Sequence, residues 1–516
     1  MGGQLTLLVG NNNISVYNAD PWILWVLDQE LRYPTPVATA REGGWQPPVQ
    51  DPGEWDGWIR LFRQPATKPP WFPTGLLDRV EAIFKKMKYS YSIEDKRRKP
   101  EECLPEFPEE PLADRDYQVA AVERALTLGR GVLDMPPRSG KSQTGMAIVG
   151  KLGLPTIWIA PTDAIVRQTL REFERFFGQN FAMHQVGTSD LGKAIKSKVV
   201  LCTYATAVAL PPEFYNSREV LLIDEFHHGG AKTIHQLVGL CGHIYYRIGM
   251  TGTFFRSGED DMAMHALLSQ TIYKVTSSEL LDLGYLVPTK VVYVPVESAR
   301  LQCPSSDGRV APWLKYGVQE HDIRNQLVSY CAAYLCRLGR KVIVLVSTKA
   351  QGNRLAGMIT SQLPERSRSQ YGQVEFVSTD RARPTQQGIL KAFNESDEVK
   401  VLIGTSLLGE GVDLPPADAL IYARGEKAEV ALTQNAYRVC TAYSGKRDAI
   451  IVDFADRHNS HLMRHSRQRL NTFFADPVFD VEVLPSIKFF PNFCREFQQN
   501  GLGILKGTQA TQAQVG

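Results

Sequence analysis

The sequence has few of the features that mark secreted, membrane-bound or disulfide-stabilised proteins. Its 516 residues contain only eight cysteines, and no two of them are spaced as CxxC, which argues against a zinc ribbon and against a disulfide framework. No apolar run approaches the roughly 18 residues of a membrane-spanning helix, and the first residues lack a basic region followed by an apolar one. We therefore expect a cytoplasmic protein without a membrane partner.

An excess of charge of one sign is absent as well. The chain has 58 Lys and Arg against 55 Asp and Glu, which gives a formal net charge of +3. A nucleic-acid partner therefore has to be inferred from a local site rather than from net charge. Hydrophobic residues make up 43% of the chain, enough for packed cores, so a disordered chain is excluded. At roughly 150 residues per domain, the length predicts about three domains.

Tryptophan is concentrated in residues 1–99. This block has strand-like runs at LTLLVG and NISVY and a helical pattern at PWILWVLDQELRY, which predict a small α+β accessory domain. It ends in a basic run over residues 85–99. The tryptophans could stack on bases and the basic run could contact phosphates. Alternatively, the tryptophans form the core of the domain and the basic run is a solvated face. The tryptophans of the block are Trp22, Trp25, Trp45, Trp55, Trp58 and Trp71.

The rest of the chain alternates apolar runs with amphipathic segments. Residues 100–112, rich in Pro and Glu, are expected to form a linker. Two successive blocks, 113–283 and 284–475, then carry near-continuous apolar runs, which are typical of strands buried on both faces of a parallel sheet. The sequence therefore predicts two tandem α/β domains. Residues 476–516 are expected to form an extension and a disordered tail.

A phosphate-binding loop is predicted where MPPRSGKS follows an apolar run and precedes a helical segment. Backbone N–H groups and a helix N-terminus hold phosphate oxygens in such loops. Lys141 is expected to reach the β- and γ-phosphates, and Ser142 to bind Mg²⁺. Two positions depart from the usual pattern, because Met135 and Arg138 stand where glycine is common.

A pair of carboxylates follows about 80 residues later. Asp224 and Glu225 end the apolar run of EVLLIDEF, where Asp224 is expected to hold Mg²⁺ and Glu225 to polarise the attacking water. An exposed Asp-Glu pair is common by itself. Both elements in this order favour an enzyme that hydrolyses a nucleoside triphosphate with Mg²⁺.

The run from Asp224 to His227 resembles the DExH box of superfamily 2 helicases and translocases. The resemblance extends from Arg115 to near Arg469 and is greatest to phage UvsW-type recombination helicases and their XPB-like relatives. It implies two RecA-like domains and further residues around the nucleotide. Those implied residues are Arg115, Gln118, Pro137, Arg138, Ser139, Gly140, His227, Gly411, Asp413, Gln434 and Arg438.

The same resemblance implies contacts to nucleic acid from both domains and a coupling segment between hydrolysis and movement. The coupling segment is TGT, with Thr251 and Thr253. The implied nucleic-acid contacts are Pro161, Thr162, Arg167, Thr203, Tyr204, Ser347, Thr348 and Thr405.

The last helicase motif departs from the family pattern, QxxGRxxR. Arg438 keeps the first arginine, but Tyr437 replaces the glycine and Thr441 stands where the family has its arginine finger. The chain either hydrolyses ATP slowly, or uses Arg438, or borrows another arginine such as Arg447. The sequence leaves these alternatives open.

Three histidines, His458, His461 and His465, lie at helical spacing. Neither a cysteine nor a carboxylate completes a zinc ligand set, so a solvated or interface helix is the favoured interpretation.

The resemblance implies an ATP-dependent helicase or translocase acting on branched or partly single-stranded DNA in recombination or repair. DNA is preferred to RNA as partner, with replication or recombination proteins as possible further partners, in a bacterial or phage-infected cell. Two alternatives remain in the same class, an RNA-remodelling DExH helicase and the motor of a defence system. An alternative of another class is a degenerate clamp that binds nucleic acid without hydrolysing ATP.

Overall fold

The computed structural model describes most of the chain. The described residues are 4–34, 57–101, 112, 115–179, 181–226, 231–252, 261–301, 312–363, 373–378, 380–405, 408, 414–427 and 429–500. The chain divides into two compact units, one of Met1–Pro136 with Gly140–Val275 and the other of Pro137–Ser139 with Thr276–Gly516. Within the described ranges, none of the helices combines the length and the apolar character needed to cross a bilayer. Most of the predicted linker and the predicted tail lie outside the described residues.

The N-terminal block is a mixed four-stranded sheet in the order β5-β2-β1-β6, packed against two helices. Alternate residues of β1 point to the core, as the alternating apolar pattern predicts. Pro21 begins the first helix, and Asp20 caps it by accepting a hydrogen bond from the Ile23 N–H. The elements are β1 (Leu5–Val9), β2 (Asn13–Tyr17), helix Pro21–Glu30, β3 (Arg32–Pro34), β4 (Trp58–Arg60), β5 (Trp71–Pro73), helix Leu77–Met87 and β6 (Tyr91–Asp95).

This block packs on the first large α/β domain. Its core is continuous with Ala263 and Ala266 of that domain. The buried Arg130 Nη2 donates to the Asn11 carbonyl at 2.6 Å, and both terminal nitrogens of the buried Arg247 donate to Asn12 Oδ1 at 3.3 Å. The turn between β1 and β2 therefore supplies acceptors to two arginines that the described contacts leave without a carboxylate partner.

The first large domain is a seven-stranded parallel sheet in the order β13-β7-β12-β11-β8-β10-β9. Its strands are β7 (Arg130–Asp134), β8 (Thr156–Ala160), β9 (Ala182–His184), β10 (Val199–Thr203), β11 (Val220–Ile223), β12 (Tyr246–Thr251) and β13 (Thr271–Lys274). Its helices are Asp116–Leu128, Lys141–Leu152, Asp163–Phe177, Leu191–Lys196, Tyr204–Ala209, Pro212–Tyr215, Ala231–Leu240 and Asp261–Leu268.

The second large domain repeats this architecture with a seven-stranded parallel sheet in the order β16-β17-β15-β18-β19-β14-β20. Its strands are β14 (Thr289–Pro295), β15 (Val342–Leu345), β16 (Gln373–Val377), β17 (Val399–Gly404), β18 (Ala419–Tyr422), β19 (Ala449–Ala455) and β20 (Phe479–Val483). Its helices are Ser277–Asp282, Pro312–Leu314, the π-helix Lys315–Gln319, Asp322–Arg337, Lys349–Gln362, Arg383–Glu395, Glu429–Cys440, Ser460–Ala475 and Phe490–Asn500. The predicted fold class is confirmed: a small mixed domain precedes two tandem RecA-like α/β domains along the chain.

Candidate functional site

The predicted motifs lie along one edge of each large sheet. In a parallel sheet the carboxyl ends of all strands meet at the same edge, where ligands of α/β proteins bind. In the first domain the phosphate loop follows β7, and Asp224 follows β11. Pro161 follows β8, while Thr203 and Thr251 end β10 and β12. Residues from Met135 to Thr251 are therefore brought to one edge of the sheet.

The phosphate loop runs from the end of β7 to the helix that begins at Lys141. The Met135 N–H donates to the Thr251 carbonyl at 2.9 Å, so the loop continues the pairing of β7 with β12. Positive φ angles occur at Arg138 (69°) and Gly140 (80°), but not at Met135. Met135 therefore needs no glycine, and its side chain is buried. Arg138, by contrast, holds a left-handed conformation that glycine or asparagine adopts more easily.

The helix after the loop lies unusually close to the sheet because of Gly145. A Cβ atom at this position would lie 2.6 Å from the Trp158 ring and 2.9 Å from the Met250 sulfur. Glycine thus permits the first turns of the helix to rest directly on β8 and β12. This contact fixes where the helix N-terminus, with its unpaired N–H groups, meets the loop.

Arg115 and Gln118, which the resemblance places around the nucleotide, lie beside the loop. Gln118 is buried in the first turn of helix Asp116–Leu128, and its Nε2 donates to the Gly140 carbonyl at 3.2 Å. A Cβ atom at Gly140 would lie 3.2 Å from Arg115 Nη1 and would clash with Gln118. Gln118 is therefore in direct contact with the phosphate loop, and the Arg115 side chain lies beside Gly140.

The carboxylate pair forms a tight turn after β11. The Glu225 N–H donates to Asp224 Oδ1 at 2.9 Å, and Glu225 has a φ of 44°, a strained conformation for a residue with a side chain. Lys141 Nζ lies 3.3 Å from Glu225 Oε1 and donates to the Met135 carbonyl at 3.4 Å. The predicted phosphate-binding lysine and the predicted water-activating glutamate therefore form an ion pair.

Burial governs the electrostatics of this pair. Desolvation and the neighbouring Glu225 carboxylate raise the pKa of Asp224 to about 7, and the Lys141 ammonium opposes that rise. The same two carboxylates contribute to a raised pKa of the Tyr204 phenol, after burial as its main cause. Two neighbouring carboxylates in a buried turn repel each other, and a bound cation would relieve that repulsion.

This donor set fits ATP with Mg²⁺. Mg²⁺ is usually held by one or two protein oxygens and takes its other ligands from phosphates and water. Asp224 and the Ser142 hydroxyl, at the start of the helix, would be those protein ligands. Among the described side chains, no group of three or more His, Cys, Asp or Glu is placed to hold a metal ion.

The predicted nucleic-acid contacts of the first domain begin helices at the same edge. Thr162 and Thr203 are N-caps, and the hydroxyl of each accepts a hydrogen bond from the backbone N–H three residues later. Arg167 is exposed and paired with Asp163 at 2.6 Å. The Tyr204 hydroxyl is turned inward and donates to the Phe226 carbonyl at 3.5 Å, which links this segment to the carboxylate turn. Contact of these residues with nucleic acid stays a prediction.

In the second domain, Thr348 caps helix Lys349–Gln362 and accepts from the Gln351 N–H at 3.2 Å, while the Ser347 N–H donates back to Gln351 Oε1 at 3.1 Å. The Ser347 hydroxyl is buried without a hydrogen-bond partner. Ser347 and Thr348 follow β15, and Thr405 follows the neighbouring strand β17. The three predicted contacts therefore come after the carboxyl ends of adjacent strands.

The last motif forms helix Glu429–Cys440, which carries Gln434 and Arg438. Arg438 is buried and donates to the Leu408 carbonyl. The departure at Tyr437 has a structural reason, because its buried hydroxyl donates to Asp476 Oδ2 at 2.6 Å. Thr441 follows the helix, forms a β-bridge with Leu286, and donates from its hydroxyl to the Tyr437 carbonyl at 3.3 Å. His227, Thr253, Gly411 and Asp413 lie outside the described residues.

A buried ionic network supports the edge of the second domain, and sequence reasoning missed it. Arg324 Nε donates to Asp456 Oδ1 at 2.8 Å, and Arg469 Nε donates to Asp453 Oδ2 at 2.8 Å; all four side chains are fully buried. Arg324 also donates to the carbonyls of Ala423 and Arg424, in the loop after β18. The only sequence signal was the pair of aspartates at the two ends of DFAD, Asp453 and Asp456.

Comparisons with known proteins agree with this geometry. The family model "Type III restriction enzyme, res subunit" matches residues 112–256, and "Helicase conserved C-terminal domain" matches residues 325–441, together about half of the chain. The ATP-dependent DNA helicase uvsW of Enterobacteria phage T4 is 22% identical over 474 residues, which cover 83% of this chain and 90% of the relative. The DNA 3'-5' translocase XPB2 of Sulfurisphaera tokodaii is 20% identical over 379 residues, with 69% and 84% covered.

Among solved structures, the DNA-bound ATP-dependent Type ISP restriction-modification enzyme LlaBIII shares the fold. Its TM-score is 0.55 at 13% identity, and the match covers 81% of this chain but 35% of that one. Fold, motif order and family matches define the class: the chain belongs to the superfamily 2 helicases and translocases. Within that class its relatives are UvsW-type and XPB-like helicases, as the sequence predicted.

Proposed function

We propose that the chain is an ATP-dependent DNA helicase or translocase that acts on branched or partly single-stranded DNA. The observation that carries the proposal is the Lys141–Glu225 ion pair, which joins the phosphate loop to the carboxylate turn beside Asp224. A lysine, a metal-binding aspartate and a glutamate at one sheet edge are the parts that phosphoryl transfer from a nucleoside triphosphate to water requires.

The ion pair supports a specific order of events. Phosphate oxygens would compete for the Lys141 ammonium, because they are stronger partners than a single carboxylate. Glu225 would then lose its cation and become available to accept a proton from water. Mg²⁺, held through Asp224 and Ser142, would polarise the terminal phosphate. Gln118, in contact with the loop through Gly140, and Arg115, beside Gly140, would read the adenine edge.

Movement along DNA would follow from contacts on both domains. Thr162 and Thr203 on one sheet edge, and Ser347, Thr348 and Thr405 on the other, would contact chiefly backbone phosphates. Binding should therefore depend on salt and depend little on sequence. The relatives named for DNA helicase and translocase activity support DNA as the substrate. Branch migration, fork regression and annealing in recombination or repair are the activities we propose.

The test is ATP hydrolysis without nucleic acid and with single-stranded DNA, branched DNA or single-stranded RNA, using the Lys141→Ala variant as the inactive control. Stimulation by DNA, strongest with branched DNA, is expected. If RNA stimulates hydrolysis and DNA does not, the substrate is RNA rather than DNA. Binding of DNA without hydrolysis would make the chain a clamp, the alternative that the Thr441 departure keeps open.

A defence-system motor is the second candidate, and the match to the res subunit of type III restriction enzymes favours it. A motor of this kind needs a nuclease or methyltransferase partner. Processing of branched DNA by the chain alone, without a partner, would argue against this candidate. Translocation on unbranched duplex DNA without processing of branched DNA would support it.

A further inference from the structure

An aromatic cluster lies on the surface of the second domain. The Trp313 ring stacks on the His461 ring, with centroids 5.6 Å apart and planes at 15°, and meets the edge of His465 at 5.0 Å and 89°. His461 is exposed, while Trp313 and His465 are partly buried. We call these three residues the aromatic shelf.

The three histidines of the helix do not converge on a metal. His458 is buried and donates from Nε2 to the Gly317 carbonyl at 2.9 Å, and it stacks on His321 with centroids 4.4 Å apart. His465 donates from Nδ1 to the Gly425 carbonyl at 3.3 Å. One ring nitrogen of His458 and one of His465 are therefore directed at backbone carbonyls, and His461 Nδ1 faces the Arg464 guanidinium, so the three imidazoles do not share a metal position.

The shelf is held rigidly by two close backbone contacts. A Cβ atom at Gly317 would lie 2.5 Å from the Leu462 side chain, and a Cβ atom at Gly425 would clash with Val318. The segment that carries Trp313 is thus pressed between helix Ser460–Ala475 and the loop after β18. A fixed aromatic surface loses little conformational entropy when a planar group stacks on it.

The position of the shelf connects it to the predicted DNA contacts. Trp313 lies in the connection after β14, and His461 in the helix after β19, so both follow the carboxyl ends of neighbouring strands. The loop after β18 bridges the shelf to the next predicted contact: Gly425 accepts from His465, and Arg424 Nε donates to the Val346 carbonyl at 3.1 Å, beside Ser347. The shelf extends that edge.

The charges around the shelf suit a polyanion. Arg464 is exposed and donates from Nη2 to His461 Nδ1 at 3.5 Å, Arg457 is exposed, and Lys315 lies 5.2 Å above the Tyr316 ring. Of the described carboxylates close to the shelf in sequence, Asp456 is fully buried in its ion pair with Arg324, Asp322 pairs with Arg354, and Glu426 is half-buried beside Gly425.

We propose that the aromatic shelf stacks an unpaired base of the DNA strand that crosses the carboxyl edge of the second domain. This inference rests on the proposed function and adds a base contact to a surface otherwise expected to bind phosphates. Aromatic side chains beside cations are the usual platform for single strands, because every base presents a π-face.

The test measures affinity for a fluorescein-labelled single strand and for an otherwise identical strand with abasic sites, by anisotropy at fixed salt. The variants are Trp313→Ala, Trp313→Phe and His461→Ala. The control is Phe474→Ala, which removes an aromatic side chain of 61% exposure from the far end of the same helix. Thermal melting checks that each variant folds, and exposed His461 provides the result if Trp313→Ala does not fold.

Trp313→Ala is expected to weaken binding of the intact strand about tenfold, the loss of one base stack, and to leave the abasic strand unchanged. Trp313→Phe should retain most of the affinity, and Phe474→Ala all of it. Equal losses for intact and abasic strands, or no loss for either, would overturn the shelf. If the wild-type chain still binds DNA and shows DNA-stimulated hydrolysis in that case, only this inference fails; if it does neither, the proposed function fails as well.

Discussion

Lys141 Nζ lies 3.3 Å from Glu225 Oε1, so the two groups that should act on the terminal phosphate are paired with each other. The pair is largely shielded from water, since the Lys141 side chain is 8% exposed and that of Glu225 15%. An ion pair in this setting holds the loop in place. In the proposed order of events, it would also keep the Glu225 carboxylate paired until phosphates compete for Lys141.

Replacing Lys141 with alanine should abolish ATP hydrolysis and weaken ATP binding, because the phosphates lose their main side-chain cation. The fold should survive, with a melting temperature within a few degrees of the wild type, since no large apolar group is removed. Lys151→Ala, in the last turn of the same helix, is the matched control and should hydrolyse ATP normally. Wild-type hydrolysis by Lys141→Ala would refute the phosphate-loop assignment.

Replacing Glu225 with glutamine should lower kcat at least about 100-fold, because an amide cannot accept the proton of the attacking water. ATP affinity should stay equal or increase, because the phosphates no longer have to displace the Glu225 carboxylate from Lys141. Equilibrium binding of a fluorescent ATP analogue and single-turnover hydrolysis measure the two effects separately. Weakened binding with unchanged turnover would contradict the order of events proposed for the ion pair.

Two glycine-to-alanine changes should have opposite effects on stability. Gly145→Ala should destabilise the first domain by about 1–3 kcal/mol, because the new Cβ would lie 2.6 Å from Trp158. Gly357→Ala, in helix Lys349–Gln362 with no atom within 4 Å of the added Cβ, should stabilise by up to about 1 kcal/mol. Urea unfolding of both variants tests this. A stabilising Gly145→Ala would show that the helix does not rest on the sheet.

The buried network of the second domain should be far more sensitive than a surface pair. Asp456→Asn leaves the fully buried Arg324 without its carboxylate and should cost about 3–5 kcal/mol in unfolding free energy. Asp322→Asn breaks the exposed pair with Arg354 and should cost less than about 1 kcal/mol. Similar losses in the two variants, measured by denaturant unfolding, would contradict the role assigned to the network.

Much of the fold was predictable because its signals are local. Apolar runs such as TIWIA and VLLI are strands buried on both faces, and the predicted motif residues follow them at the carboxyl edge. Met135 could not be understood from the sequence, because only the backbone angles show that the loop places its left-handed residues at Arg138 and Gly140.

Other features could not be predicted because they join residues far apart in the chain. The Arg324–Asp456 pair spans 132 positions, and the Arg247–Asn12 contact that docks the N-terminal block spans 235. The tryptophans of that block also differ from one another in a way the sequence does not show. Trp22 and Trp25 are 56% and 59% exposed, whereas Trp58 and Trp71 are half-buried. The buried core of the block consists of aliphatic residues, phenylalanines and Tyr33.

The most direct test of the account is steady-state ATP hydrolysis by the wild-type chain and by Glu225→Gln, each with and without branched DNA at saturating concentration. The account predicts that DNA stimulates hydrolysis by the wild type, whereas Glu225→Gln binds ATP and the same DNA but hydrolyses at least about 100-fold more slowly. Hydrolysis that branched DNA does not change, or that Glu225→Gln retains in full, would contradict the assignment of this edge of the sheet as a DNA-coupled ATPase site.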